Sequence, residues 1–474
     1  MILKVINHDF IYDMKNLCTV FFPWEKINDD GKDNIEVETK AQGNEFFVCA
    51  RLFDKSISKT HILKENEDAQ TEMSVLLYNV LSELTGFKPP WGILFGVRPA
   101  KLMHRFADEM GEKAARDYFI NTFLATPQKT DLAIKVMHHE NKIISLSSHN
   151  SFSLYVSIPF CPTRCAYCSS VSHSIEKTHK LLEPYVDLLC KELEKTGQVA
   201  KALGLRLETV YFGGGTPTTL SASQLSRLFD VIEKNFDLST LCEYTVEAGR
   251  PDTVTEDKLM ALKGAGVGRI SINPQSFNDE VLDSIGRRHT SKQTLDAFAL
   301  ARKCGFNNIN MDLIAGLPGE NAEDMRDTLR QIEELSPDSL TVHSLAIKRA
   351  ARMAQEQPVR DLHTEITEMV EDAAKTAEKL GLVPYYLYRQ KNIAGNFENV
   401  GYAKADKAGI YNILIMEEKQ TIYAAGAGAT TKIVLPEKIK TENGKETNLI
   451  RIENVKNIEA YIDRIDEMIK RKSN

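Results

Sequence analysis

Nowhere does the sequence hold the run of roughly 18 apolar residues that a membrane span needs. No secretory leader is expected at its start either, because Lys4, His8 and Asp9 interrupt the first ten residues. Positive charge is not in excess. Lysine and arginine number 59 against 66 aspartates and glutamates, a net charge of −7, so the chain as a whole is not expected to wrap nucleic acid. Cysteine is scarce, with eight residues, of which Cys161, Cys165 and Cys168 crowd together and Cys18, Cys49, Cys190, Cys242 and Cys304 stand alone. That is not a disulfide framework, and it points to a cytoplasmic protein with one special cysteine cluster.

What is present looks like an ordinary globular chain. Hydrophobic residues make up 42% and charged residues 26%, which excludes a disordered, collagen-like or low-complexity protein. At about 150 residues per domain, 474 residues leave room for two to four domains. Over residues 1–150, apolar β-rich runs such as Cys18–Phe22 and Phe46–Ala50 flank a polar stretch from Asn28 to Asn34. A helical pattern follows from Thr71, and a polar segment from Ser145 to Ser153 reads as a linker. These residues are expected to form an N-terminal α+β domain.

Residues 151–381 alternate differently. Short apolar runs begin at Leu154, Thr209, Glu243, Arg269, Ile309 and Ser339, with long amphipathic stretches between them. Ser221, Thr255 and Asn321 stand where helices would start. The spacing is that of βαβ units, and six of them fit an α/β fold, a partial TIM-type parallel barrel. Residues 382–474 read as a C-terminal α+β cap. In it, Ile413–Met416 and Thr421–Ala424 suggest a hairpin and Val455–Lys470 a terminal helix.

The strongest chemical signal is Cys161-Pro-Thr-Arg-Cys165-Ala-Tyr-Cys168, directly after the first barrel strand. Three thiolates at this spacing can ligate three irons of a 4Fe–4S cube and leave the fourth iron open. A structural zinc site would need a fourth ligand, for which His173 is close enough in sequence. Context favours iron and sulfur, because working residues of parallel barrels gather at the C-terminal strand ends. Here the successive strands lead to the cysteines, to Gly213–Pro217, to Glu247, to Gln275, to Asp312 and to Ala346–Lys348. Taken singly these have plainer readings: Gly213–Gly215 as a turn, Arg287 and Arg288 as a surface pair, His289 as local packing. Cys190, Cys242 and Cys304 read as core. The face formed by Arg98, Lys101 and Arg105 reads as a solvated helix surface.

Together these motifs resemble the radical S-adenosylmethionine superfamily. Leu154–Cys161, Tyr211–Thr218, Ile270–Phe277, Gly286–Thr290 and Asp312–Pro318 are similar to its oxygen-independent coproporphyrinogen III oxidase branch. The N-terminal extension, Tyr388–Asn392 and Glu398–Tyr402 resemble the HemZ subgroup. The resemblance implies that Cys161, Cys165 and Cys168 hold a 4Fe–4S cluster. It further implies that Gly214, Gly215 and Thr216 contact the methionine part of S-adenosylmethionine and Arg287 its carboxylate. Glu247 and Asp312 would hold ribose hydroxyls with Gln275 nearby, while Tyr155, Tyr167 and Ala346 match further contact positions.

The implied function is decarboxylation of two propionates of a tetrapyrrole, coproporphyrinogen III, to the vinyl groups of protoporphyrinogen IX. The radical would take a hydrogen from the propionate β-carbon, and the substrate radical would then lose an electron and carbon dioxide. An unidentified electron donor would be needed to start the reaction. Arg164, Lys348 and Arg389 are candidate cations for the propionates. The sequence departs from the decarboxylases at Ser169 and Ser170, where they carry a further cysteine after the third. In this it is similar to the haem-trafficking paralogues, so a haem chaperone stays open, as does another radical enzyme, one acting on RNA included.

Overall fold

Alternate residues of Ile35–Gln42 and Glu45–Leu52 are buried, the signature of strands with one face on a core. The computed structural model describes residues 1–474 except 24, 96–97, 169, 346–358, 390–396, 442–443, 445 and 474. The chain divides into two compact units, one of residues 1–138, 344–368 and 387–400, the other of 139–343, 369–386 and 401–474.

In the first unit, β1 (Ile2–Ile6), β2 (Ile35–Gln42), β3 (Glu45–Leu52) and β4 (Lys55–Ile62) form a sheet in that order. The first pair is parallel and the others antiparallel. Helices Ile11–Phe21 and Ala69–Thr85 share a core with it that includes Leu17, Phe21, Val48, Leu77 and Leu81. Asp68 caps the second helix by accepting from the Thr71 amide at 2.8 Å. The expected strand at Cys18–Phe22 is corrected: all but its last residue belong to the first helix. Met14, Leu17, Cys18 and Phe21 recur at helical spacing and bury one face, a period that a five-residue window cannot show.

The second unit carries, wholly or for the greater part, β5 (Ser151–Ile158), the two-residue β6 (Phe160–Cys161) and β7 (His173–Ser174), β8 (Arg206–Gly214), β9 (Glu243–Glu247), β10 (Arg269–Ser271), β11 (Ile309–Ala315) and β12 (Ser339–Ser344). Beyond these come β13 (Val383–Tyr388), β14 (Asn399–Ala403), β15 (Thr421–Ala425), β16 (Thr430–Lys440) and β17 (Glu446–Glu453). One sheet runs β13-β14-β12-β11-β10-β9-β8-β5-β15-β16-β17. From β5 through β8, β9 and β10 to β11 the pairs are parallel. Helices Leu182–Ala202, Ala222–Asn235, Glu256–Gly264, Ser291–Lys303 and Ala322–Leu335 connect the strands in turn. Ser221 with Gln224 and Asn321 with Asp324 form capping boxes at two of these starts. This is the partial TIM-type barrel expected from the sequence, with β15 added parallel to β5.

The expected hairpin around Glu417–Gln420 is also corrected. Ile410–Glu417 is a helix ending at a left-handed Glu418, and only Thr421–Ala425 is a strand. Four apolar residues in a row fit either element, and tertiary anchoring decides. The buried Glu243 carboxylate accepts from the Ile410 amide at 2.6 Å and the Tyr411 amide at 3.3 Å, satisfying orphan donors of the helix start. Two short helices, Ile458–Asp463 and Ile465–Ser473, stand where one terminal helix was expected, parted at Arg464. Cys190 and Cys304 are half-buried and Cys242 is exposed rather than core. Cys242 precedes β9, and Cys304 is the cap residue of its helix.

Candidate functional site

The C-terminal end of β5 delivers the cysteine loop. Beyond Ile158, Phe160 and Cys161 pair with His173 and Ser174, so the loop returns on itself. Its interior is bolted to its surroundings: the Ala166 amide donates to the Ile285 carbonyl at 2.9 Å, and Thr163 Oγ1 to the Gly286 carbonyl at 2.8 Å. All three cysteines are free thiols and half-buried. Burial pushes the Cys161 thiol up, partly opposed by the Thr216 hydroxyl 3.4 Å away.

The donor set, three thiolates on one loop, suits a 4Fe–4S cube with one iron left open. A tetrahedral zinc–thiolate site holds its sulfurs about 3.8 Å apart, from Zn–S bonds of about 2.3 Å. Among the described residues, the one His/Cys/Asp/Glu group whose ligand atoms all lie within 4.8 Å of one another is His61, Glu67 and Glu72. The cysteines do not close to that spacing with or without His173. The His61 group is an ion-paired cluster in the first unit, with the Lys64 ammonium 3.2 Å from Glu67.

The glycine run at the end of β8 packs under this loop. A Cβ on Gly215 would lie 2.6 Å from the Phe160 carbonyl and 3.0 Å from Cys161 Sγ. Gly214 has φ +106°, which side chains rarely adopt. The Gly215 and Thr216 amides donate to the Ile158 and Phe160 carbonyls, both at 2.8 Å, so glycine run and cysteine loop are set by each other.

Across the barrel mouth, parallel register brings the polar residues level. Glu247 pairs with Ser271, and Ser271 with Asn310, two residues before Asp312. Tyr211 OH donates to Glu247 Oε1 at 2.6 Å. Burial pushes the Glu247 carboxyl up to about 7, and the nearby Asp312 charge adds to this. Asp312 accepts from Asn273 Nδ2 at 2.7 Å and Asn310 Nδ2 at 2.6 Å, with His343 Nε2 3.8 Å away. Burial acts to raise it, but His343 and the hydrogen bonds prevail and hold it below the usual carboxylate range.

Gln275 sits at φ +68° because its backbone bridges to β11, donating to the Asp312 carbonyl and accepting from the Ile314 amide. Its Oε1 and Asn273 Oδ1 are buried without hydrogen-bond partners, as an incomplete binding site would leave them. Arg287 is buried, donating to the Asn273 carbonyl at 2.8 Å and the Gly249 carbonyl at 2.9 Å. The Cys165 thiol lies close to its guanidinium, whose Nε has no partner. Tyr167 lies beside Cys165 and Arg287. Burial pushes His289 down to about 3, helped by the Arg287 and Arg250 charges, so it is neutral.

The structure thus joins Cys161, Gly215 and Thr216 in one group and Asp312, Gln275, Arg287 and Cys165 in another. Asn273 links the second group, with its side chain on Asp312 and its carbonyl on Arg287. Tyr155 stacks with Tyr211 at 6.2 Å and with Tyr411 at 5.9 Å. Ala346 and Lys348 lie outside the described residues. Arg164 is exposed, whereas Arg389 is buried in the first unit, donating to the Leu94 carbonyl beside the Trp91 ring. Sequence reasoning missed Tyr211, Asn273, His343, Arg250 and Tyr411. The first three stand at or beside strand ends, where period-two alternation could have placed them with Glu247 and Asp312.

The family model described as the Radical SAM superfamily matches residues 155–332. The chain is 39% identical over 430 residues to the oxygen-independent coproporphyrinogen-III oxidase-like protein HemZ of Bacillus subtilis (strain 168), covering 89% of this chain and 84% of that one. It is 38% identical over 197 residues to the heme chaperone HemW of the same organism, covering 41% of this chain and 51% of HemW. The solved structure of coproporphyrinogen III oxidase (HemN) from Escherichia coli superposes with a TM-score of 0.52 at 23% identity, over 70% of this chain and 73% of HemN, which shows the shared fold. With a relative of this identity along most of its length, the chain belongs to the radical S-adenosylmethionine superfamily, in the branch that includes HemZ and the oxygen-independent coproporphyrinogen III oxidases.

Proposed function

We propose that this protein is a radical S-adenosylmethionine enzyme that decarboxylates two propionates of coproporphyrinogen III without oxygen. The observation that carries the reading is the likeness to HemZ along 89% of the chain, supported by the cysteine loop, Glu247 and Asp312 following or ending successive strands of one barrel. Cys161, Cys165 and Cys168 would hold a 4Fe–4S cluster through three irons. Bound together, that cluster and S-adenosylmethionine supply a radical able to take hydrogen from an unactivated carbon.

The chain's own residues bind and orient. With the Gly215 and Thr216 amides bonded to the cysteine loop, Gly214, Gly215 and Thr216 would meet the methionine part of the cofactor through their carbonyls, and Arg287 offers its unpartnered Nε to the carboxylate. Glu247 keeps one oxygen free of Tyr211 for a ribose hydroxyl. Asp312 is fixed by two amides but retains lone pairs for the other hydroxyl. Gln275 would satisfy its buried Oε1 on the same ligand. Tyr155, Tyr167 and Ala346 would complete the contacts. Arg164 is the described cation at the loop surface for a substrate propionate. Eight free cysteines suit a reducing compartment, and we place the protein in the cytoplasm.

A second reading is a haem chaperone, favoured by Ser169 and Ser170 after the third cysteine and by the likeness to HemW. Anaerobic reconstitution with iron and sulfide, followed by coproporphyrinogen III, S-adenosylmethionine and a low-potential reductant, separates the two. Protoporphyrinogen formation supports the enzyme. Stoichiometric haem binding with no loss of carbon dioxide supports the chaperone.

A further inference from the structure

Among the described residues, the buried cation Arg250 donates to the backbone of the cysteine loop. Arg250 follows β9, is 2% exposed, and belongs to no motif singled out in the sequence. Its Nε and Nη2 donate to the two carboxylate oxygens of Asp252 at 3.0 and 2.9 Å. The remaining amino group, Nη1, donates to the Thr163 carbonyl at 3.3 Å and to Thr163 Oγ1 at 3.0 Å. Thr163 stands between Cys161 and Cys165, and its hydroxyl passes the connection on to the Gly286 carbonyl.

The neighbouring residue reinforces this arrangement. The Gly249 carbonyl accepts from Arg287, whose guanidinium lies close to Cys165. A short stretch after β9 therefore grips the cysteine loop through Arg250 at Thr163 and holds Arg287 close to Cys165. The planar guanidinium suits the first task, because two nitrogens can grip Asp252 while the third points at the loop. A lysine has no such fork. Binding three irons at once requires three sulfurs held close to their final positions, and a loop free to rearrange would hold the metal less long.

We propose that Arg250 is a positioning residue: locked by Asp252, it fixes the Thr163 peptide and so presents Cys161 and Cys165 in the geometry that retains the cluster. It touches neither the sulfurs nor the cofactor, and acts through Thr163. The inference rests on the proposed iron–sulfur reading of the three cysteines.

The test compares wild type, Arg250→Gln, Arg250→Lys, Thr163→Val and the Arg250→Gln/Thr163→Val double variant. Each is reconstituted anaerobically with iron and sulfide and then exposed to an iron chelator. Losing hydrogen bonds from a charged donor corresponds to roughly ten- to a hundredfold, so Arg250→Gln should lose iron at least about tenfold faster. Arg250→Lys should recover little of this, and Thr163→Val should be intermediate. The double variant should fall short of the product of the two single effects, because the Arg250–Thr163 Oγ1 bond is common to both while the Thr163–Gly286 bond is lost only with Thr163→Val. Electron paramagnetic resonance of the reduced protein should show a more heterogeneous signal in Arg250→Gln, narrower again in wild type. Equal iron-loss rates and spectra in wild type and Arg250→Gln would overturn the inference and leave the cluster reading intact. Additive effects in the double variant would overturn it too. A wild type that takes up no iron would instead overturn the underlying reading. Should Arg250→Gln not fold, judged by circular dichroism, Arg250→Lys against wild type decides on the same criterion.

Discussion

A methyl group on Gly215 would stand 3.0 Å from the Cys161 sulfur and 2.6 Å from the Phe160 carbonyl. The glycine is therefore required by the cysteine loop as well as by any ligand that approaches it. Backbone cannot yield as a flexible side chain does, so the loop must shift. Gly215→Ala should cost about 1–3 kcal/mol in chemical unfolding of the metal-free protein. It should also lower iron content after reconstitution, and full iron with unchanged stability would show that the two segments do not constrain each other.

The Glu247 carboxyl gives the fold a specific pH response. It stands near 7 in the folded chain, above the ordinary 4.5, because burial disfavours its charge. Between these values the folded state holds a proton that the unfolded state has released, so stability falls as pH rises from about 4.5 to about 7. At the open mouth solvent screens the effect, leaving roughly 1–2 kcal/mol. Urea midpoints at pH 5 and pH 8 should differ less in Glu247→Gln than in wild type by that amount. Identical pH dependence in both proteins would count against a raised Glu247.

Glu247 and Asp312 should matter to the cofactor and not to the cluster. Glu247→Ala and Asp312→Ala should each keep wild-type iron content and bind S-adenosylmethionine about ten- to a hundredfold more weakly, the worth of a hydrogen bond to a charged group. Equilibrium dialysis of the reconstituted proteins measures this. Unchanged affinity in both would remove these strand ends from the cofactor site.

Much of this architecture is legible in sequence because the barrel repeats a strong local pattern. The apolar starts at Glu243, Arg269, Ile309 and Ser339 coincide with strands, and the Ser221 and Asn321 caps form as read. The failures are equally physical. Cys18–Phe22 and Ile413–Met416 are short apolar runs whose element is decided by distant partners: helical packing over Leu77 and Leu81 for the one, the buried Glu243 at the helix start for the other. Arg250 is invisible for a similar reason. Its partner Asp252 is local, but Thr163 is 87 residues away, and only the folded barrel brings them together. His343 and Asn273 likewise gain meaning from Asp312 on a neighbouring strand.

The most direct measurement is product analysis of the reconstituted protein with coproporphyrinogen III, S-adenosylmethionine and reductant, read by chromatography for both the porphyrin and 5′-deoxyadenosine. Ser170, exposed behind the third cysteine, makes the outcome sharp. If the remaining site suffices, wild type yields protoporphyrinogen together with 5′-deoxyadenosine, and Ser170→Cys changes turnover little. That is the result this account predicts. 5′-Deoxyadenosine formed by wild type with no carbon dioxide lost from the porphyrinogen would contradict it, whether or not Ser170→Cys restores turnover.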